Sequence, residues 1–196
     1  AEFEAVYHSA KIWLNGIPVG EHLRKGYTAF FVDLTKAIKV NAVNTLVVMA
    51  DNQFDDKMLP RNHSYDWAAD GGITRPVSLH ITGPAYIERA MVTALPDIDK
   101  STAAISITTL VKNSSDKPAH LSLSYTITEE KSGKIVAQQP AQSLFVSANG
   151  QQELAFPDHI IQDPLLWHFD HPHLYVACLS LYAGGQLMHS YSTVFG

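Results

Sequence analysis

The chain has 196 residues, of which 46% are hydrophobic and 17% are charged, and its formal net charge is -5. This apolar content is sufficient for a packed core and excludes a disordered chain, and the mildly acidic balance lacks the basic footprint of a nucleic-acid-binding protein. No apolar stretch reaches the roughly 18–20 residues that span a bilayer. The single cysteine, Cys178, cannot form an internal disulfide, and the sequence does not indicate a compartment.

Short runs of alternating apolar and polar residues predict β-structure in the first part of the chain. The pair Asn15-Gly16 predicts a type I′ hairpin turn, because both residues tolerate positive φ. The stretch Val32–Val40 fits a short helix and a strand equally well. The predicted strands are Ala10–Leu14, Tyr27–Leu34, Thr45–Ala50 and Val77–Thr82.

Alternation is clearest in the second part, where Leu121, Leu123, Tyr125 and Ile127 alternate with hydroxyl side chains. We predict a domain boundary at Gly83-Pro84, since proline cannot continue a strand ladder. About seven strands after it fit an immunoglobulin-like architecture, and five or six precede it. The other predicted strands are Tyr86–Leu95, Ala103–Val111, Leu174–Tyr182 and Gln186–Phe195. The predicted core of this part is Leu121, Leu123, Tyr125, Ile127, Trp167 and either Val176 or Leu179.

Four motifs occur in a fixed order along the chain. They are Ile12–Gly16 with Val19–His22, Gly26–Thr35, Asp66–Val77, and Pro164–Trp167 with Pro172–Tyr175. Each motif is weak alone, but in this order and spacing the chain resembles the non-catalytic front end of glycoside hydrolase family 2. That family contains β-galactosidases, β-glucuronidases and β-mannosidases.

The resemblance implies an all-β fold. Residues 1–83 resemble the later half of a jelly-roll, galactose-binding-like sugar-binding domain, and residues 84–196 resemble an immunoglobulin-like β-sandwich. The catalytic barrel would follow in the parent protein, so we expect a fragment that is inactive alone and contains no catalytic residue. Because the early jelly-roll strands would be absent, we expect missing sheet partners in the first domain and a dimer or exchanged strands. The implied partners are a terminal β-linked sugar, the barrel of the same parent chain and further copies of the chain.

The resemblance also implies one substrate-binding residue, Asp66. Its counterpart in the family reaches the barrel mouth and contacts the terminal sugar, and in β-galactosidase-like members it lies beside a monovalent cation. The implied cofactors are therefore none in this chain and a monovalent or divalent cation near the pocket of the parent. Trp67 and Tyr65 flank Asp66 as weaker candidates for sugar contact. The alternatives are an Asx turn or loop cap for the carboxylate and loop-anchoring roles for the aromatic rings.

Several other chemically suggestive residues have structural interpretations. The pairs Asp55/Asp56 and Glu129/Glu130 are interpreted as solvated charges, and Gly71-Gly72 as a place of unusual φ or close backbone approach. We expect an ion pair at Arg75 and core packing for Trp13. The spacing of His168, His171 and His173 allows zinc, but a loop bend is favoured.

The sequence leaves the function open between three classes. These are an accessory part of a family 2 exo-glycosidase, a stand-alone carbohydrate-binding or adhesion module, and a structural spacer. For the parent enzyme, β-galactosides are the first candidate substrates and β-glucuronides the second.

Overall fold

The computed structural model describes residues 1–53, 57 and 70–196. The chain divides into two compact units, Ala1–Ile81 (unit 1) and Thr82–Gly196 (unit 2), and this division falls next to the predicted boundary at Gly83-Pro84. The described residues contain strands, turns and bends. They include no helix that is long and apolar enough to cross a membrane.

Unit 1 contains short strands that pair antiparallel in three small sheets. Its strands are β1 (Glu2–Phe3), β2 (Val6–Tyr7), β3 (Ser9–Leu14), β4 (Ile17–His22), β5 (Phe30–Phe31), β6 (Leu46–Asp51), β7 (Gly72–Ile73) and β8 (Val77–Ser78). The sheet orders are β5-β1-β8, β4-β3-β6 and β2-β7. Strands of two residues show no alternation, which is why the sequence predicted only five or six strands here.

The hairpin between β3 and β4 confirms the predicted type I′ turn. Asn15 has φ 54° and Gly16 has φ 81°, as that turn requires at both central positions. The Asn15 amide also donates to the Ala37 carbonyl at 2.9 Å and to Asn44 Oδ1 at 2.8 Å. The turn is thereby attached to the following irregular segment.

Two predicted strands of unit 1 are mostly irregular. Tyr27–Leu34 is strand only at Phe30–Phe31, and Val77–Thr82 only at Val77–Ser78. The Asp33 carboxylate accepts the Thr35 amide at 2.9 Å, and this Asx turn competes with strand pairing. In the stretch Val32–Val40, the amides of Ala37 and Ile38 both donate to the Leu34 carbonyl at 3.0 Å, so a single turn forms instead of a helix.

The core of unit 1 lies on one face of β3. Ile12 is fully buried and Leu14 is 3% exposed, whereas Trp13 between them is only half-buried. Successive side chains of a strand point to opposite faces, so Trp13 cannot share the core with its neighbours, and the prediction of a core role for Trp13 is wrong. The buried cluster is Phe3, Val6, Ala10, Ile12, Leu14, Val32, Leu34 and Ala37.

The core face of β6 is incompletely covered. Ala50, Val48 and Leu46 lie opposite the buried residues of β3 and share their face, yet Ala50 is exposed and Leu46 is 40% exposed. Within the described part of the chain, β6 pairs only with β3. Among the described residues, β6 is therefore an apolar edge strand whose inner face is partly open, and the absence of further sheet partners stays a prediction.

Unit 2 is an antiparallel β-sandwich of two sheets. Its strands are β9 (Ala85–Asp97), β10 (Thr102–Asn113), β11 (Ala119–Glu129), β12 (Ile135–Val146), β13 (Gly150–Ala155), β14 (His159–Gln162), β15 (Tyr175–Ala183) and β16 (Gln186–Phe195). One sheet has the order β12-β11-β15-β16, and in the other β9 and the pair β13/β14 lie on either side of β10.

One strand position beside β10 is filled by two short strands, β13 and β14. Strand β13 pairs with Thr108–Asn113 of β10, and β14 pairs with Thr102–Ile105 of the same strand. Pro157 lies in the gap and has no amide hydrogen to donate to a ladder. Because β13 and β14 share one side of β10, the eight strands fill seven strand positions in the sandwich.

The core of unit 2 confirms most of the residues predicted for it. Leu123, Ile127 and Leu179 are fully buried, Tyr125 is 2% exposed and Leu121 is 5% exposed. Of the two alternatives, Leu179 faces the core, whereas Val176 lies on the opposite face of β15.

The prediction of a buried Trp167 is wrong, because its side chain is 53% exposed. The stretch Pro164–Trp167 follows β14 and crosses the end of the sandwich, where the Tyr175 hydroxyl accepts the Leu165 amide at 2.8 Å. Tyr175 and Ile161, each 6% exposed, fill the core at that end and leave Trp167 outside it.

Candidate functional site

The sequence-predicted sugar-binding residues Asp66, Trp67 and Tyr65 lie outside the described residues. The structure instead describes the residues on both sides of that segment. Asp51, Asn52 and Gln53 precede it, and Asp70 and Gly71 follow it. These flanking residues and their contacts form the described part of the candidate site.

The two flanks meet in space. The Asn52 side-chain amide donates to the Asp70 carbonyl at 3.3 Å, a contact between residues 18 positions apart. On one side the Asp51 carbonyl accepts the His8 amide at 3.1 Å. On the other side, β7 pairs with β2 through Tyr7 and Gly72. The residues on the two sides of the segment therefore lie next to each other in unit 1.

The two glycines of the motif behave as predicted. Gly72 has φ 84°, a conformation that L side chains rarely adopt, and it lies opposite Tyr7 in the ladder. A Cβ added at Gly71 would lie 2.9 Å from Asn52 Nδ2. Glycine at position 71 thus permits the close approach of Asn52 to the backbone at Asp70.

The carboxylate of Asp70 is held by a residue from another motif. The Tyr27 hydroxyl donates to Asp70 Oδ2 at 3.0 Å, across 43 positions of sequence. The Tyr27 ring packs against Tyr7, with ring centroids 5.3 Å apart, and Tyr7 is only 1% exposed. A Cβ added at Gly26 would collide with the Tyr7 ring, so glycine is required there.

The residues that follow Tyr27 are also held in place. His22 Nε2 and Thr28 Oγ1 lie 3.0 Å apart, and the His22 ring stacks on Phe30 with centroids 4.2 Å apart. Phe30 stacks in turn on the fully buried Phe3 at 5.0 Å. Burial lowers the pKa of His22 below its ordinary value, and the positive charge of Lys25 lowers it further, which favours the neutral ring in this stack.

Among the residues that the structure describes, Arg75 does not form the predicted ion pair. Arg75 is exposed and has no ion-pair partner among the described residues. The motif places it directly before Pro76, whose carbonyl accepts the Glu4 amide at 3.1 Å. The backbone beside Arg75 is therefore hydrogen-bonded.

The histidine cluster of unit 2 forms the predicted bend. The backbones of His168 and His171 bond reciprocally at 3.2 and 2.9 Å, and His168 Nδ1 accepts the Asp170 amide at 3.2 Å. These contacts define a tight turn. Within the described parts of the chain, no group of three or more His, Cys, Asp and Glu side chains could hold a metal ion.

The acidic pairs differ in whether the structure describes them. Asp55 and Asp56 lie outside the described residues. Glu129 ends β11, where it accepts the Ser132 hydroxyl and lies 3.6 Å from Lys134 Nζ, and Glu130 is exposed. This pair belongs to the β11–β12 turn, as the interpretation of edge charges requires.

Comparison with known proteins identifies the family. The family model described as glycosyl hydrolases family 2 matches residues 85–196, more than half of the chain. The chain belongs to glycosyl hydrolase family 2. Its fold is all-β, part of a jelly-roll sandwich followed by an immunoglobulin-like sandwich.

Family 2 relatives resemble this chain along nearly its whole length. A β-galactosidase of Thermoanaerobacter pseudethanolicus is 31% identical over 97% of this chain and 24% of its own length. The β-galactosidase BoGH2A of Bacteroides ovatus is 26% identical over 100% of this chain and 22% of its own. The crystal structure of a Bacteroides uniformis β-glucuronidase superposes with a TM-score of 0.87 at 26% identity, over 100% of this chain and 24% of that one. The family 2 chain thus spans about a quarter of the length of these relatives.

Sequence reasoning missed Tyr27 and Asn52. Tyr27 belongs to a motif that supports the family resemblance, but spacing alone does not indicate its partner, because Asp70 lies 43 positions away. Asn52 directly follows β6, and an amide at a strand end is a frequent capping group. The position of Asn52 close to the end of a predicted strand was the feature of the sequence that could have indicated its role.

Proposed function

We propose that this chain is the non-catalytic N-terminal part of a family 2 exo-glycosidase that hydrolyses terminal β-linked sugars. The observation that supports this proposal is the match of almost the entire chain to about a quarter of β-galactosidases and a β-glucuronidase. In this proposal residues 1–83 are the later half of the sugar-binding domain, and residues 84–196 are the immunoglobulin-like domain. β-Galactosides are the first candidate substrates and β-glucuronides the second.

The proposed contribution of the chain to catalysis is substrate binding by Asp66. An ionised carboxylate accepts two directed hydrogen bonds, which suits adjacent hydroxyl groups of a terminal sugar. Trp67 and Tyr65 are weaker candidates, whose ring faces would pack on the apolar surface of the sugar. Supporting this role, the flanks of their segment are fixed at Asn52 and Asp70 by specific hydrogen bonds.

In this proposal, a cation near the pocket of the longer protein would lie beside Asp66. Among the described residues, the carboxylate of Asp70, four positions after Asp66 in sequence, already accepts the Tyr27 hydroxyl, and no group of three or more His, Cys, Asp and Glu side chains could hold a metal ion. The described residues therefore offer too few oxygen ligands for a site of their own. Further ligands of a monovalent or divalent cation would come from elsewhere in the longer protein.

Hydrolysis itself requires residues beyond those described here. A retaining glycosidase needs two carboxyl groups about 5–5.5 Å apart, one as nucleophile and one as acid/base. The described adjacent pair Glu129 and Glu130 serves a turn, with Glu129 bound to Ser132 and Lys134. The proposed partner that supplies the reacting carboxylates is the barrel of the longer chain.

Activity measurements on two proteins test this proposal. The longer protein should release nitrophenol from an aryl β-galactoside or an aryl β-glucuronide, whereas the 196-residue chain alone should release no more than buffer. Sugar binding without hydrolysis by the longer protein would favour a stand-alone binding module instead. Turnover by the 196-residue chain that a point substitution abolishes would contradict the proposal.

We also propose that the isolated chain self-associates through the edge of β6. This strand presents Val47 and Met49, which are 49% and 45% exposed, on one face and the half-open core on the other. Sedimentation velocity should show a dimer, and Val47→Lys should shift it toward the monomer because a charge opposes edge pairing. Val43→Lys is the matched control, since Val43 is 91% exposed and precedes the strand. A monomeric wild-type chain would contradict this proposal.

A further inference from the structure

Unit 2 contains a hydrogen bond that joins its two sheets and that the proposed function does not use. The backbone amide of Ile87 in β9 donates to Nδ1 of His189 in β16 at 3.3 Å, across 102 positions of sequence. Among the described residues, β9 pairs only with β10 and β16 only with β15, and the two strands pack against each other. The bond therefore closes one side of the sandwich, and we call it the edge bond.

The donor and the acceptor of the edge bond each lie beside a β-bulge. In the pairing of β9 with β10, Glu88 is an extra residue directly after Ile87. In the pairing of β16 with β15, Met188 is an extra residue directly before His189. A bulge bends an edge strand and changes the direction of the neighbouring groups. Two irregularities in different sheets thus bring the imidazole and the amide together.

The imidazole lies on the core-facing side of β16. Its partner in the ladder, Leu181, is fully buried, and directly opposed side chains of paired strands share one face. The side chain of Ile87 is 2% exposed, and the Tyr86 ring meets the imidazole edge-on with centroids 6.3 Å apart. Burial lowers the pKa of His189 below its ordinary value, so this environment favours the neutral ring.

The surrounding titratable groups do not favour a charged imidazole. Those closest to the edge bond in the strand register are Tyr86, Glu88, Arg89, Lys112, Tyr182 and Tyr191. Glu88 of β9 forms an ion pair with Lys112 of β10, and Arg89 carries a further positive charge. The phenols are neutral near pH 6, because their ordinary pKa is about 10. Among the described residues, burial is therefore the influence that sets the pKa of His189.

Protonation abolishes the acceptor of the edge bond. In the neutral ring, Nδ1 accepts a hydrogen bond only when the proton lies on Nε2, so the bond to Ile87 selects that tautomer. The imidazolium carries a proton on both nitrogens, so its Nδ1–H would point at the Ile87 N–H. Two donors then face each other, and a backbone amide beside the core loses its partner.

We propose that the edge bond is a pH-sensitive switch, which joins β9 to β16 while His189 is neutral and releases this edge of the sandwich when His189 is protonated. The inference does not depend on glycosidase activity. A group whose pKa is lowered by folding contributes stability above its unfolded-state pKa, which is about 6.5 for histidine. That contribution decreases as the pH falls below this value and is lost below the lowered pKa of the folded chain.

Thermal melting of the 196-residue chain at pH 7.5 and pH 5.0 tests the inference. His189→Asn places an amide oxygen where Nδ1 lies, so it can accept the Ile87 amide at both pH values. The fall in melting temperature on acidification should be smaller in His189→Asn than in wild type, by about 3 °C or more. His120→Asn is the matched control, since His120 is an exposed residue of β11, and its fall should equal that of wild type. An equal fall in wild type and His189→Asn would overturn the inference.

Amide exchange measured by NMR reads the edge bond directly in the wild-type chain. The protection factor of the Ile87 amide should decrease about tenfold or more as His189 titrates from neutral to charged. The amide of Leu123, a fully buried residue of the central strand β11, should keep its protection over the same range. An Ile87 protection factor that stays constant through the titration of His189 would overturn the inference, and so would a His189 pKa above the ordinary value.

Discussion

In the longer glycosidase that we propose, Asp66→Asn should lower kcat/KM by about 10- to 150-fold. The charge of Asp66 is useful when it is desolvated against sugar hydroxyls, where a hydrogen bond to a charged group contributes about 1.5–3 kcal/mol. If these bonds tighten as the sugar approaches an oxocarbenium-like transition state, their loss lowers kcat/KM, at about 1.4 kcal/mol per tenfold. The measurement is steady-state kinetics on an aryl β-galactoside or β-glucuronide.

Asp70→Asn provides the comparison for this result. It removes the same charge four positions away, but the amide oxygen that remains can still accept the Tyr27 hydroxyl. We therefore expect a much smaller loss than for Asp66→Asn, with thermal melting as the control for folding. Equal small effects at both positions would remove Asp66 from the site. A large effect of Asp66→Asn together with a collapsed melting temperature would assign it a structural role only.

Leu179→Ala should destabilise unit 2 by about 2–5 kcal/mol, because it removes a fully buried side chain and leaves a cavity. Leu179 lies in the middle of β15, a central strand that pairs on one side with β11 and on the other with β16. The side chains around this cavity cannot move in to fill it without disturbing the pairing of β15 with both β11 and β16. Urea unfolding should show a lower midpoint with an unchanged m-value.

The matched control for this substitution is Leu187→Ala. Leu187 lies on the adjacent strand β16 and is 53% exposed, so its truncation removes the same atoms without opening a cavity in the core. We expect its effect to stay within about 0.5 kcal/mol. Equal losses for the two variants would show that Leu179 does not occupy the core position that the structure assigns to it.

Local chemistry determined much of the fold from the sequence alone. Alternation predicted β10, β11, β15 and β16, because a half-buried strand shows its period in the residues themselves. The Asn15-Gly16 turn was also predictable, since its positive φ values depend on those two residues only. The four ordered motifs were sufficient to indicate the family that the comparison identifies.

Long-range packing decided the rest. Trp13 and Trp167 have large apolar side chains of the kind that usually fill a core, yet both lie outside the cores. Trp13 points to the face of β3 opposite the core, and the path of the connecting segment leaves Trp167 exposed. The break between β13 and β14 depends on where Pro157 falls against β10. The local sequence does not indicate which residues of β10 pair with β13 and which with β14.

The candidate site shows the same division. The sequence by itself predicted an unusual φ or a close backbone approach at Gly71-Gly72, because residue type carries that information, and the role of Asp66 stays a prediction from the family resemblance. Only the tertiary structure brought Tyr27 to Asp70 across 43 positions and Asn52 to its carbonyl. The physical reason is that a hydrogen bond between distant residues depends on the strands that carry them, and here the pairing of β2 with β7 and the packing of Gly26 on Tyr7 set that geometry.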